Sequence, residues 1–177
     1  MDNILNEIKN NINIPNRCYN TAEKSDIIFQ KIAISNNMII KKSSYNTDIF
    51  DHIDYYMTYN NKSFTVDIKS AKKFMEFNHS NGSILDEWIW VELKNVNGKN
   101  GWLYGKADYV VYVFLKELWF INRKRLINFI NQKLIKEYVT DKKFAQYKLY
   151  KRLNRNDLLT LINLKDLKIA LNPAIII

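Results

Sequence analysis

The chain has 177 residues, 47% of them hydrophobic, and a formal charge of +9. That apolar content suits one domain with a substantial core over residues 1–177, and with no run of 18 apolar residues it excludes a membrane-spanning helix. A single cysteine, Cys18, rules out an intrachain disulfide and a cysteine zinc cluster, and His52 and His79 lack zinc-pair spacing.

Ile4, Leu5, Ile8 and Ile12 keep a short helical period that ends near Pro15. Asn20-Thr-Ala-Glu23 has capping-box form, and the stripe Ile28, Phe29, Ile32, Ala33 predicts a helix over 21–35. A strand is expected at 38–42. The segment 54–69, DYYMTYNNKSFTVDIK, then reads as two strands around Asn60-Asn61. Residues 70–86 show no period and read as loop, and 87–94 reads as a strand with Trp88, Trp90, Glu92 and Lys94 on one face. Turn residues over 95–101 lead through Gly105-Lys106-Ala-Asp108 into an apolar strand at 109–115 and a short one at 118–121. A helix follows over 123–138. Residues 157–170 fit either strand then helix or one helix. The N-terminus lacks the segments of a secretory signal, so a cytoplasmic protein is expected.

The charge is unevenly placed. Residues 1–115 carry 13 Lys/Arg and 13 Asp/Glu, whereas 116–168 carry 14 and 5, so the whole excess lies in the C-terminal third. Such asymmetry points to a polyanion, most commonly nucleic acid, with Arg123, Lys124, Arg125, Lys148, Lys151, Arg152 and Arg155 as the contacts; solvated helix faces are the bland alternative.

The hairpin carries the chemistry. A loop centred on Asn60-Asn61 sets Asp54 opposite Asp67, with Cβ atoms about 4.5–5.5 Å apart. Alternation places Asp54, Tyr56, Thr58, Ser63, Thr65, Asp67 and Lys69 on one polar face, directed away from the core. Two opposed carboxylates repel unless something neutralises them, and a hard divalent cation would do so.

Asp54 with Asp67-Ile68-Lys69 on a hairpin resembles the PD-(D/E)XK nuclease superfamily of restriction-type and resolvase-type enzymes, including phage-encoded ones. Ile53 stands where the nominal proline would be. The resemblance implies an α+β fold with a restriction endonuclease-like α-β-β-β-α-β core, its central sheet mainly antiparallel and flanked by helices. It implies a Mg²⁺-dependent DNA endonuclease, with Mn²⁺ able to substitute. Asp54, Asp67 and the Ile68 carbonyl would hold metal, Glu23 of the preceding helix would add a further acid, and Lys69 would orient the attacking water. Glu92-Leu-Lys94 offers a rival acid-x-lysine, and Glu92, Lys94 and Lys106 are candidates for outer positions of the site. Cutting both strands of DNA would suit a homodimer. A non-catalytic DNA- or RNA-binding module is the alternative.

Overall fold

The computed structural model describes residues 19–71, 73–77 and 84–177; the expected helix near residue 8, with Cys18 and His79, lies outside them. The fold is mixed α+β, built on two sheets that are each mostly antiparallel.

The first sheet gathers β1 (Ile39–Lys42), β2 (Tyr55–Tyr59), β3 (Lys62–Ser70), β6 (Tyr109–Val113), β7 (Leu118–Asn122) and β11 (Ala174–Ile176). They lie in the order β1-β2-β3-β6-β7-β11, with β3 and β6 parallel. The second holds β4 (Lys73–Phe77), β5 (Ile84–Lys94), β10 (Leu158–Asn163), β9 (Lys148–Lys151) and β8 (Ile135–Val139), in that order, with β8 and β9 parallel.

Asn60 and Asn61 have φ of 49° and 60°, the left-handed pair of a type I′ turn that asparagine tolerates. The pairing from Tyr59↔Lys62 to Tyr55↔Val66 therefore has the register the sequence predicts. Helix α1 (Tyr19–Ser35) covers one face of this sheet, where Phe29 and Ala33 meet Tyr55, Met57, Val66, Val111 and Phe120 in one core. The Tyr55 hydroxyl donates to Asp26 of α1 at 2.5 Å and accepts from Gln30 at 2.9 Å, fixing the helix over the start of β2.

The other face of the first sheet is covered too, which the amphipathic hairpin did not foretell. Val110, Tyr112, Trp119 and Ile121 join Ile89, Val91 and Leu93 of β5 in the larger core. Helix α3 (Arg123–Lys133) adds Leu126, Phe129 and Ile130 to it, and α4 (Leu164–Leu171) adds Leu164, Leu167 and Leu171. Parallel β3 and β6 cannot be joined by a tight turn, and the crossover between them carries β4 and β5 of the second sheet. The polar face of the hairpin is most accessible toward its tip, where Thr58 and Ser63 bond at 3.0 Å.

Other expectations change with this topology. Residues 70–86, expected as loop, contain β4 and the start of β5. The helix expected to reach 138 ends at Lys133; Leu134 turns extended and the Ile135 N–H joins the Tyr147 carbonyl at 2.7 Å, so pairing with β9 overrides local helix propensity. Residues 157–170 are strand then helix. A short helix α2 (Tyr45–Asp51), unforeseen, is capped by Ser44 and closed by His52 at φ 52°.

Candidate functional site

The site grows from the open end of the β2–β3 hairpin. Tyr55, the first residue of β2, makes the outermost pair of the ladder, with Val66. The Asp54 N–H donates to the Val66 carbonyl at 2.8 Å instead of to Asp67, and the Asp54 carboxylate accepts the Ile68 N–H at 2.6 Å. Asp54 thus leaves the ladder near the expected position but turned toward the next backbone amide. Burial raises its pKa, which the Lys69 ammonium and the Ile68 N–H only partly offset, and the carboxyl is pushed up to about 7.

Asp67 pairs across to Val110 of β6, and its side chain is 1% exposed. Two cations hold it. Lys69 Nζ contacts Oδ1, and Arg123 Nη2 donates to Oδ2 at 2.9 Å. Burial presses the Lys69 ammonium downward, yet attraction to Asp67 and Asp54 and the hydrogen bond with Asp67 outweigh it, so its pKa is raised. The buried Asp67 carboxylate is thus paired with two cations, in a place where an unpaired charge would be costly.

Arg123 was expected on the nucleic-acid surface, and its position corrects that. Its side chain is 4% exposed. The guanidinium donates through Nε to the Ala107 carbonyl at 2.8 Å and through Nη1 to the carbonyls of Leu103, at 3.3 Å, and Trp102. Those carbonyls belong to the single helical turn Trp102–Tyr104, a strap set between Gly101 and Gly105, and to the lead-in to β6. A Cβ on Gly105 would stand 2.5 Å from the His52 Cβ, and one on Gly101 would stand 2.5 Å from the Glu92 carbonyl oxygen. Both positions need glycine for close approach.

The strap also brings Glu92 in. Its carboxylate accepts the Trp102 N–H at 3.3 Å, and the Trp102 ring lies 5.6 Å below Lys69 Nζ. Burial raises the Glu92 pKa, moderated by the Trp102 N–H and by Lys69. His52 stands in the same electrostatic field; burial lowers its pKa against the attraction of Asp67. The Tyr112 hydroxyl is fully buried with no hydrogen-bond partner, and burial and then the Asp67 charge raise its pKa.

Asp54, Asp67, Ile68 and Lys69 come together as expected, and Glu92 joins them from the second sheet. Lys94 does not: it is exposed at the end of β5. Lys106 is exposed and pairs with Asp51 at 2.8 Å, beside the strap. Glu23 is exposed on α1, which already includes Asn20, and forms no hydrogen bond or ion pair among the described residues. Among the described residues no three His, Cys, Asp or Glu side chains are grouped to hold a metal ion.

Of the other basic residues, Lys148 pairs with Glu137 at 2.7 Å and Arg152 with the buried Asp157. Lys124, Arg125, Lys151 and Arg155 are exposed. Sequence reasoning missed Arg123, His52 and the strap as parts of the site. His52 stands two residues before Asp54, a signal within reach; the partnership of Arg123 with Asp67, 56 residues apart, left none. No described helix is long and apolar enough to cross a membrane. Compared with known proteins, the chain matches no family model, no curated protein and no solved structure.

Proposed function

We propose that this chain is a Mg²⁺-dependent DNA endonuclease of the PD-(D/E)XK type, with a restriction endonuclease-like core. The observation that carries the reading is the convergence of Asp54, Asp67 and Lys69 at one end of a hairpin, next to a parallel strand that closes the site from the side. The succession α1, β1, β2, β3 and then a crossover to β6 supports the same core, with two departures: the short helix α2 stands between β1 and β2, and the crossover runs through β4 and β5, where the family pattern has a helix.

The donor set fits a hydrated Mg²⁺. That ion takes one or two carboxylates and keeps its waters, so a third acid is not required. Asp54 is desolvated without a cation of its own beyond Lys69, and the buried Tyr112 hydroxyl lacks a partner. Asp54, Asp67 and the Ile68 carbonyl would hold the ion, which would supply a more acidic water and stabilise charge on the phosphate oxygens. Lys69 stabilises negative charge at the reacting phosphate and orients the water, and Arg123 keeps the Asp67 carboxylate in one orientation. Lys124, Arg125, Lys151 and Arg155 supply contacts to the DNA backbone. A homodimer would supply two such sites for two strands.

The second reading, a non-catalytic nucleic-acid-binding module, draws on the two cations that already neutralise Asp67. Cleavage separates the two. Duplex, single-stranded and branched DNA are incubated with Mg²⁺ or Mn²⁺ and the wild type, Asp67→Asn or Lys69→Met, with folding checked by circular dichroism. At least one substrate is expected to be cut, and each variant to lose about a hundredfold or more in rate while still binding DNA. Undiminished cutting by Asp67→Asn removes the assigned site, and salt-dependent binding with no cutting at all selects the module.

A further inference from the structure

We propose that the two cations on Asp67 have different tasks: Arg123 is a fixed clamp on Oδ2, and Lys69 is a movable counter-ion that keeps the place of a divalent cation at Oδ1. This rests on the nuclease reading.

The two side chains are held in unlike ways. The Arg123 fork has four acceptors, namely the carbonyls of Ala107, Trp102 and Leu103 and Oδ2 of Asp67. Turning it would leave buried carbonyls without donors, a penalty the planar guanidinium cannot recover by rotating in place. Gly105 closes the remaining space, since even a Cβ there would come within 3.1 Å of Arg123 Nη1. Oδ2 is therefore committed to Arg123.

Lys69 has none of that anchoring. Its side chain is 25% exposed, its ion-pair contact is with Oδ1, and its ammonium is a point charge on a flexible stem. A divalent cation that joins Asp54 to Asp67 finds Oδ1 as the oxygen that Arg123 does not hold, and two cations on one oxygen repel each other. Lys69 must yield that oxygen. The Trp102 ring at 5.6 Å and the Glu92 carboxylate, whose acidity already responds to Lys69, are the groups placed to keep the displaced ammonium in the site. Exchange at one oxygen would bring Lys69 into play only when a cation has arrived.

The test is cation binding without DNA, by calorimetric titration of the full chain with Mg²⁺ and with Ca²⁺. Lys69→Met is expected to tighten binding about three- to tenfold, as removal of one competing charge should. Arg123→Met is expected not to tighten it, because the orientation of Asp67 is lost with the clamp. Arg123→Lys keeps the charge, perturbs the fold less and is expected to bind more weakly than wild type. Equal tightening by Lys69→Met and Arg123→Met, or wild-type affinity in Arg123→Lys, overturns the proposal and leaves the nuclease reading standing. If neither wild type nor any variant binds a divalent cation, the nuclease reading falls and takes the proposal with it.

Discussion

Arg123 and Arg152 come from the same basic third of the chain, and both turn inward to an aspartate, Asp67 at 1% exposure and Asp157 at 0%. There the likeness ends. Arg123 is 4% exposed, spans 56 residues to its partner and satisfies four acceptors, so it fastens α3, the strap and β3 to one another. Arg152 is 38% exposed, reaches an aspartate five residues away, and leaves its Nε without a hydrogen bond. One pair is a junction between distant elements beside the candidate site; the other closes the local β9–β10 connection. The contrast teaches that net charge in a segment overstates the charged surface, because arginine can be drawn inside wherever a buried carboxylate awaits it.

The contrast breaks most visibly in stability. Arg123→Met strands a buried Asp67 with only Lys69, and is expected to cost about 3–5 kcal/mol in urea unfolding. Arg152→Met is expected to cost about 1–2 kcal/mol, because water can reach the place its exposed side vacates. Adding Asp67→Asn to Arg123→Met should recover part of the loss. Equal losses in the two single variants would show that exposure of the arginine does not separate the pairs.

Asp54 sharpens the comparison from the other direction, as a half-buried carboxyl with no arginine. Its folded pKa of about 7 lies above the ordinary 3.8, so the folded state holds its proton more tightly than the unfolded chain does. Its contribution is therefore present at low pH and lost as pH rises through about 7. Asp54→Asn, which can still accept the Ile68 N–H, is expected to gain on the wild type between pH 4 and pH 8, by about 1–3 kcal/mol at the upper end. Melting temperatures across that range, taken in chelator, check this; parallel profiles would remove the strain on Asp54.

How much of this could be read beforehand depended on distance along the chain. The Asn60-Asn61 turn is local, so its register and the nearness of Asp54, Asp67 and Lys69 followed from arithmetic. The tryptophan-rich strand β5 and apolar β6 were also legible, from β-branched and aromatic runs. What covers Asp67 was not, because the parallel β3–β6 pairing and the second sheet depend on chain segments that meet only in the fold. For the same reason the helix over 123–138 was drawn too long: nothing in Leu134-Ile135 stops a helix until β9 arrives beside it. Arg123 read as surface because Lys124 and Arg125 beside it are surface.

Those neighbours give the smallest expected effect on stability and the cleanest measure of what remains outside. Lys124, Arg125, Lys151 and Arg155 are exposed and have no ion pair among the described residues. Changing all four to glutamine should move unfolding free energy by no more than about 0.5 kcal/mol per site. DNA affinity should nevertheless fall, and the slope of log affinity against log salt should become shallower by about 0.9 for each phosphate that the protein no longer neutralises. Arg152→Met, by contrast, should leave that slope nearly unchanged, since its charge is already engaged by Asp157. A slope that survives the quadruple substitution would move the polyanion surface away from α3 and the β9–β10 connection. A slope that falls as steeply with Arg152→Met alone would mean that Arg152 leaves its aspartate for phosphate, and that exposure, not the inward partner, decides what an arginine in this third of the chain does.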